Sequence, residues 1–315
     1  MVGLSGYILG VYFLLGLCII VYGAMQFVMS CSSISLRFGL PKFIVGSVVM
    51  SLATTSPELF VSYLSASQGY VWLGVGNVFG SYIANIGLVL GVAGLLRPVM
   101  VSQSILSKQI PYCILGVCVL IVCSLKNTLF WVDACLLLLL LGGWFVAVVY
   151  NQESSESVIS TQHTTLEMLL RLILGVGLLY MGSWLLIESS QALAIQFGVS
   201  SYVIGLTLVA ISTSLPELSS ALVSVYLKEY DLLMGNIVGA NILLLLLVLP
   251  VTILAAGRPI VLSMVWPEYF FMALLTMLLW LFVTHFDDQA RIGRQEAAGL
   301  LLSFLAYQFF VLLYV

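Results

Sequence analysis

Charged residues are scarce in this sequence: ten Lys and Arg and thirteen Asp and Glu make up only 7% of its 315 residues. Because soluble domains carry roughly a quarter charged residues, a soluble protein of this length is excluded. The net charge of −3 gives no sign of a basic patch, so nucleic acid is not expected as a partner. With 62% hydrophobic residues and a mean hydropathy of +1.18, most of the chain is predicted to lie in the lipid bilayer.

Motifs for enzymatic chemistry are missing as well. The six cysteines show neither a CxxC pattern nor a His–Cys spacing, so we interpret them as small apolar residues of membrane helices. No nucleophile elbow, HExxH or paired-Asp protease pattern is present, and His163 and His285 lie outside the predicted spans. We therefore predict neither an enzyme nor a bound cofactor.

Long apolar runs, in contrast, are abundant. A helix needs about 20 apolar residues to cross the hydrocarbon, and by this rule the fold class is an all-α membrane protein with ten transmembrane helices. The polar stretch 151–166 is interpreted as a connecting loop between two halves, 1–150 and 167–315. The predicted spans are 7–29, 42–66, 71–95, 109–125, 128–149, 167–187, 200–226, 231–254, 266–284 and 296–314.

Lys and Arg lie mostly on one side of these spans, which predicts that this side is cytoplasmic and that both termini face outward. The cytoplasmic side would carry Arg37, Lys42, Arg97, Lys108, Arg171, Lys228, Arg291 and Arg294, and the outer side Lys126 and Arg258.

The two halves align without a gap at one constant offset, the offset that carries Glu58 onto Glu217. At this repeat offset Pro57 recurs as Pro216, and the dipeptide Gly-Asn at 76–77 recurs at 235–236. Each half holds five predicted spans, and because five is odd, the second copy would enter the membrane from the opposite side. Such inverted repeats are common in secondary transporters.

Two acidic residues, Glu58 and Glu217, fall deep within apolar spans. A charge at mid-bilayer costs about 3 kcal/mol on insertion scales, so each requires a compensating partner. The sequence places no Lys or Arg at that depth, and we therefore expect a bound cation. Thr54 and Thr213 precede the two carboxylates by four residues and would share a helix face with them.

Oxygen atoms dominate this predicted site. Pro57 and Pro216 each free a backbone carbonyl one turn earlier, and hydroxyls surround both glutamates. Hard cations such as Ca²⁺ and Na⁺ prefer carboxylate, hydroxyl and carbonyl ligands. A polar stripe on the third span adds Asn77, Ser81 and Asn85, whereas the eighth span repeats Asn236 and then has Ala240 and Leu244 at the matching positions.

These residues resemble the cation/Ca²⁺ antiporter superfamily, specifically its prokaryotic sodium/calcium exchanger branch. That family carries two repeats of the form G-(T/S)-S-x-P-E and G-N-x-x-G-S-N-x-x-N/D. Here residues 53–58 read ATTSPE and residues 76–85 read GNVFGSYIAN, and the second copy reads STSLPE at 212–217 and GNIVGANILL at 235–244. The resemblance covers nearly the whole chain.

The resemblance implies Na⁺/Ca²⁺ exchange by alternating access in a prokaryotic inner membrane, with the first and sixth spans sliding against the other eight. Calcium and sodium ions and the lipid bilayer would be its partners, and a monomer is expected. Asn77 and Asn236 would bind the ion, bond unwound backbone or cap a helix. The implied ligands are Glu58, Glu217, Thr54, Thr213, Thr55, Ser214, Ser81, Asn85 and the backbone carbonyls of Ser51, Ala210 and the two threonines.

Departures from the family pattern leave alternatives open. Ala240 and Leu244 replace the usual Ser and Asp or Asn, Tyr82 replaces a usual Asn, and Ala53 and Ser212 replace usual glycines. Two oxygen ligands are thereby lost from one wall of the site. Coupling to H⁺ or K⁺ in place of Na⁺, or a transport-inactive membrane scaffold of the same fold, are the alternatives.

Overall fold

The computed structural model describes residues 6–69, 71–150, 164–196, 213–262, 266–285 and 290–314. These segments are almost entirely helical, because apolar residues in lipid must satisfy their backbone hydrogen bonds locally. The helices are α1 (Gly6–Phe38), α2 (Lys42–Ser67), α3 (Val71–Leu96), α4 (Ile105–Ser124), α5 (Trp131–Tyr150), α6 (Thr165–Gln196), α7 (Leu215–Leu227), α8 (Tyr230–Ala256), α9 (Trp266–His285) and α10 (Arg294–Tyr314).

Eight of the described helices, α1–α6, α8 and α9, are long and apolar enough to cross a membrane. This confirms the prediction of an α-helical membrane protein. Of the predicted span 200–226, only residues from 213 onward lie in the described part of the chain, where α7 has 13 residues. The predicted span 296–314 corresponds to α10, which is not among the eight.

The predicted end of the first span, at residue 29, was wrong, because α1 continues to Phe38. Serines extend it: the hydroxyl of Ser30 donates to the Gln26 carbonyl at 2.7 Å, and that of Ser33 to the Met29 carbonyl at 2.8 Å. Ser and Thr hydroxyls that bond back to the preceding turn are tolerated inside a helix. A boundary drawn where the apolar run stops was therefore placed too early, at the first polar residues of the helix.

Within the described segments, four helices contain a wider, π-helical turn. Those in α3 and α8, Asn85–Leu90 and Leu244–Val248, begin at positions that are equivalent under the repeat offset. The others are Val45–Met50 in α2 and Ile105–Gln109 at the start of α4. Such π-turns are frequent at functional sites, and the one in α3 begins at a residue of the predicted site.

Two short antiparallel strand pairs tie the halves together. The strand β1 (Val99–Met100) pairs with β4 (Arg291–Ile292), and β2 (Thr128–Leu129) pairs with β3 (Ile260–Val261). The strands β1 and β3 follow α3 and α8, whereas β2 and β4 precede α5 and α10. Both pairs thus obey one rule, in which a strand after the third helix of one half meets the strand before the last helix of the other.

Equivalent helices occupy equivalent depths in the bundle. The most apolar windows of α3 and α8 are both 83% buried, whereas those of α1 and α6 are 29% and 22% buried. The helices α3 and α8 are therefore central, and α1 and α6 pack against each other at the periphery.

Glycines allow α1 and α6 to approach closely. A Cβ atom on Gly23 would lie 2.9 Å from the Leu179 nitrogen, and one on Gly182 would lie 2.7 Å from the Ile20 nitrogen. These are the same contact counted twice, since residues 20 and 23 are equivalent to 179 and 182. The α1–α6 interface thus has approximate twofold symmetry.

Candidate functional site

The two predicted carboxylates lie at the centre of the bundle. Glu58 on α2 and Glu217 on α7 are 1% and 0% exposed, and their charges interact with each other. All four carboxylate oxygens lack a hydrogen-bond partner among the described residues. Two lysines pair elsewhere, at helix ends: Lys42 with Glu229 at 3.0 Å and Lys126 with Asp133 at 2.8 Å.

Threonine and asparagine side chains hold the carboxylate helices against the central pair by two reciprocal hydrogen bonds. The hydroxyl of Thr54 donates to Oδ1 of Asn236 at 3.1 Å, and that of Thr213 donates to Oδ1 of Asn77 at 3.2 Å. The repeat offset converts one bond into the other. Because each hydroxyl donates its hydrogen to an amide oxygen, the lone pairs of the hydroxyl oxygen remain available to another group.

Further hydroxyls line the space beside Glu217. The Ser81 hydroxyl lies 3.2 Å from that of Thr213, and because Thr213 donates to Asn77, Ser81 is the donor in this contact. The hydroxyls of Thr54 and Thr55 lie near the Glu217 carboxylate, although neither makes a hydrogen bond of normal geometry to it.

The hydroxyls of Thr55 and Ser214 are buried and have no hydrogen-bond partner in the described part of the chain. They stand at equivalent positions, one residue after the paired threonines. Unpartnered buried polar atoms are rare in proteins and require an explanation, such as an unseen ion or water. Their position beside unpartnered carboxylates concentrates free oxygen atoms in one place.

The amides of Asn77 and Asn236 are engaged with protein groups through their oxygens. Asn77 also donates from Nδ2 to the Ser62 hydroxyl at 3.0 Å and to the Glu58 carbonyl at 3.4 Å. Asn236 has no partner for Nδ2 within the described segments. The backbone group that Asn77 contacts lies within the continuous helix α2, and binding of an ion by Asn77 or Asn236 stays a prediction.

Proline has a different effect in the two carboxylate helices. The helix α2 continues through Pro57, and the hydroxyl of Ser56 donates at 2.7 Å to the Ala53 carbonyl that Pro57 cannot bond. In the other half, α7 begins at Leu215, so Pro216 lies in its first turn. The wider turn of α2 lies before Ser51 rather than at the proline.

Among the predicted backbone ligands, Ser51 lies in α2 and Ala210 lies outside the described residues. The Ser51 carbonyl lies 3.4 Å from the Thr54 hydroxyl, whose hydrogen is donated to Asn236, and the Ser51 hydroxyl donates to the Ser47 carbonyl. A contact of this length leaves most of the carbonyl's bonding capacity unused.

The wall formed by α3 and α8 is asymmetric. Asn85 donates from Nδ2 to Oδ1 of Asn241 at 3.1 Å, and Oδ1 of Asn85 has no partner among the described residues. At the positions equivalent to Ser81 and Asn85, Ala240 and Leu244 are buried and apolar. The two oxygen ligands that the sequence predicts to be missing would therefore have lain in the interior of the bundle.

Two residues of this region escaped the sequence-based prediction. Asn241 belongs to the second repeat motif but was given no role. The difference between Asn241 and Tyr82, its equivalent in the first repeat, could have indicated that Asn241 has a function of its own. Tyr180 on α6 places its hydroxyl 2.5 Å from that of Ser56. No sequence signal pointed to Tyr180, because its repeat partner is Val21.

A family model described as sodium/calcium exchanger protein matches residues 8–150 and 168–313. The chain belongs to the sodium/calcium exchanger family. Family membership confirms the resemblance drawn from the two repeat motifs, and it supports cation antiport rather than enzymatic catalysis.

Relatives from bacteria and archaea agree with this family. The chain is 33% identical over 316 residues to the putative antiporter CaxA of Alkalimonas amylolytica, covering 95% of this chain and 97% of that protein. It is 34% identical over 249 residues to the inner membrane protein YrbG of Escherichia coli, covering 75% and 76%. A shorter match, 38% over 96 residues, covers 30% of this chain and 27% of the sodium/calcium exchanger MaX1 of Methanosarcina acetivorans.

Solved structures of the sodium-calcium exchanger NCX_Mj have the same fold as this member of the family. The form soaked with Na⁺ and Sr²⁺ superposes with a TM-score of 0.84 at 29% identity, covering 95% of this chain and 97% of that one. The protein is therefore an integral membrane protein with the transporter fold of NCX_Mj.

Proposed function

We propose that this protein exchanges Na⁺ for Ca²⁺ by alternating access, with the ions bound between Glu58 and Glu217. The observation that carries the proposal is the pair of buried carboxylates whose four oxygens have no partner among the described residues. Two like charges in a low-dielectric interior repel each other and are costly to bury. One divalent ion neutralises both at once, and Na⁺ ions that occupy the same oxygens compete with it.

Neutral oxygens would complete the coordination shell. We assign these roles to the hydroxyls of Thr54, Thr213, Thr55, Ser214 and Ser81, to Oδ1 of Asn85, and to the carbonyls of Ser51 and Ala210. The unpartnered state of Thr55, Ser214 and the Asn85 oxygen supports the assignment. Hard cations take six to eight such ligands, so a site of this composition suits Ca²⁺ and Na⁺ better than soft metals.

Alternating access would follow from an inverted repeat of ten spans, two sets of five joined by the loop 151–166. The reciprocal Thr–Asn bonds and the reciprocal strand pairs support this architecture. The peripheral pair α1 and α6 is the part best placed to slide against the central helices. Both termini would face outward from a prokaryotic inner membrane, as the positive-inside rule indicates.

Proteoliposome flux measurements test the proposal. We expect Glu58→Gln and Glu217→Gln each to reduce Na⁺-dependent Ca²⁺ uptake by about 100-fold, the order expected when a charged partner is lost from a buried site. Glu268→Gln, at the start of α9, is the matched control and should retain uptake. Uptake that survives both substitutions would refute the assignment of the site.

Proton coupling is the second candidate, favoured by the apolar residues Ala240 and Leu244. A site with fewer neutral oxygens binds Na⁺ less well, whereas two carboxylates remain able to accept two protons. Ca²⁺ uptake driven by a pH gradient with Na⁺ and K⁺ absent would identify proton coupling. A requirement for K⁺ would instead identify K⁺-coupled exchange. A scaffold without transport would show no Ca²⁺ binding by calorimetry at millimolar concentration.

A further inference from the structure

A chain of three polar groups fixes the direction in which the Asn85 amide points. Asn241 donates from Nδ2 to the backbone carbonyl of Tyr82 at 3.3 Å, and its Oδ1 accepts from Nδ2 of Asn85 at 3.1 Å. A backbone carbonyl can only accept, so the Asn241 amide has one favourable orientation. Its oxygen then faces Asn85, which must present its NH₂ group there and turn its own oxygen away.

The consequence of this orientation is a free oxygen inside the bundle. Oδ1 of Asn85 is buried, with the residue only 1% exposed, and has no hydrogen-bond partner in the segments that the structure describes. Without Asn241 at this place, rotation of the amide by half a turn would interchange its oxygen and nitrogen. The nitrogen of an amide is a donor and cannot bind a cation.

The other half of the molecule provides an internal comparison. Under the repeat offset, Asn85 and Asn241 become Leu244 and Tyr82. The half that lacks an amide ligand at position 244 thus also lacks the amide that would orient it. Tyr82 instead directs its hydroxyl to Thr276 Oγ1 at 2.8 Å, and an Asn at position 82 would have no amide to hold.

We infer that Asn241 is a positioning residue, which holds the amide of Asn85 so that Oδ1 faces the transported cation. This inference rests on the proposed function, since it assigns Asn85 to the same site. Asn241 itself makes both of its bonds to protein groups and acts through Asn85 alone. Outer-sphere partners of this kind typically change metal affinity by about 10–100-fold.

A double-mutant cycle tests the inference on the purified full-length protein. The variants are Asn85→Leu, Asn241→Leu and the double substitution, each of which replaces an amide by an apolar side chain of similar size. Calorimetry measures the Ca²⁺ Kd, and proteoliposome exchange separates KM from the maximal rate. We expect each single variant to raise Kd about tenfold, near the lower end found for outer-sphere partners. The double variant should be no weaker than Asn85→Leu, because Asn241 has nothing left to orient.

Controls separate positioning from loss of structure. Thr276→Val removes the buried hydroxyl that contacts Tyr82, the repeat equivalent of Asn241, and should leave Kd unchanged. If Asn241→Leu does not fold, Asn241→Ser is used, whose side chain is too short to bridge Asn85 and the Tyr82 carbonyl, and the same non-additive loss is expected.

Several results would overturn the role of Asn241. An unchanged Kd in Asn241→Leu would do so, and so would losses that multiply in the double variant, which would indicate an independent contribution. The proposed function would instead be refuted if the wild-type protein bound no Ca²⁺, or if Glu58→Gln left the Ca²⁺ Kd unchanged. The two failures are therefore distinguished by titrating the wild-type and Glu58→Gln proteins before the Asn241 variants.

Discussion

Equivalent positions of the two halves have kept some contacts and lost others. The Thr54–Asn236 and Thr213–Asn77 bonds are nearly equal in length, at 3.1 Å and 3.2 Å. The Asn85–Asn241 pair, in contrast, has become Leu244 and Tyr82 in the other half. Bonds that join a carboxylate helix to a central helix are retained in both copies, whereas the wall between the two central helices is polar at one end only.

This difference distinguishes packing from ligation. A reciprocal bond holds two helices in register, and its loss would leave a buried donor or acceptor unsatisfied at a cost of about 1–3 kcal/mol. An amide pair can be replaced without that cost when no polar atom is left unpartnered, as Leu244 and Tyr82 illustrate, because Leu244 is apolar and the Tyr82 hydroxyl is paired with Thr276. The predictions below use this comparison, and each contrasts a residue with its equivalent in the other half.

Overpacking of the α1–α6 interface should reduce the exchange rate more than any of the changes proposed below. The reduction should be equal whether the substitution is made on α1 or on α6. Gly23→Leu and Gly182→Leu would each place a side chain against the backbone of the facing helix. Overpacking costs about 1–3 kcal/mol and would separate the two helices that we propose to slide together, so exchange should fall at least about tenfold. Initial rates in proteoliposomes measure it.

Open glycines on the same helices are the controls for this prediction. Gly10 on α1 and Gly177 on α6 have no atom within 4 Å of an added Cβ, so Gly10→Leu and Gly177→Leu should retain exchange. A normal rate in either interface variant, or a loss confined to one of them, would contradict a symmetric sliding pair.

Removal of the paired hydroxyls should have the next largest effect, and an unequal one. Thr54→Val and Thr213→Val each delete one proposed ligand and one interhelical bond, which together are worth about a five- to tenfold rise in the KM for Ca²⁺. Thr213 also accepts a bond from Ser81, so its loss should be the greater. Thr252→Val, whose hydroxyl bonds only within α8, is the control. Equal losses would indicate that Ser81 contributes nothing.

Sequence reasoning found the paired residues because the repeat displays each of them twice. Glu58 with Glu217 and Thr54 with Thr213 are visible as matches at one offset, and a carboxylate in an apolar run is costly wherever its helix packs. The fold class followed from the apolar runs alone. These features depend only on local sequence and on the duplication.

Contacts that have no repeat partner were not predictable. The bond between Asn85 and Asn241 depends on how α3 and α8 cross, and the contact of Tyr180 with Ser56 depends on where α6 lies against α2. A single sequence predicts which residues share a helix face, but it does not predict which residues of two neighbouring helices lie at the same level. The length of α1 was missed for another reason, since serines that bond their own helix look like an end in a hydropathy profile.

Rebuilding the missing amide pair would convert the apolar wall into a copy of the polar one. Leu244→Asn alone places an amide without an orienting partner, so the KM for Ca²⁺ should change little. Combined with Tyr82→Asn, it should lower the KM about three- to fivefold, because an additional oriented oxygen adds on the order of one hydrogen bond of stabilisation. Tyr82→Asn alone is the control for the lost tyrosine volume. A gain from the single Leu244→Asn substitution would show that orientation is unnecessary.

The smallest effect is expected at Tyr180, whose hydrogen bond to Ser56 has no counterpart. The equivalent residues Val21 and Leu215 line an apolar crevice of about 470 Å³ between α1 and α7. Separation of α6 from α2 must therefore break a hydrogen bond, whereas separation of α1 from α7 breaks none. An exposed hydrogen bond contributes about 0.5 kcal/mol, so Tyr180→Phe should raise the maximal exchange rate about twofold and leave the KM unchanged. The combined substitution Val21→Tyr with Leu215→Ser would install the bond on the other side and should slow exchange by a similar factor. A slower Tyr180→Phe protein would instead show that this bond supports the site, and the asymmetry between the two peripheral contacts would then concern binding rather than motion.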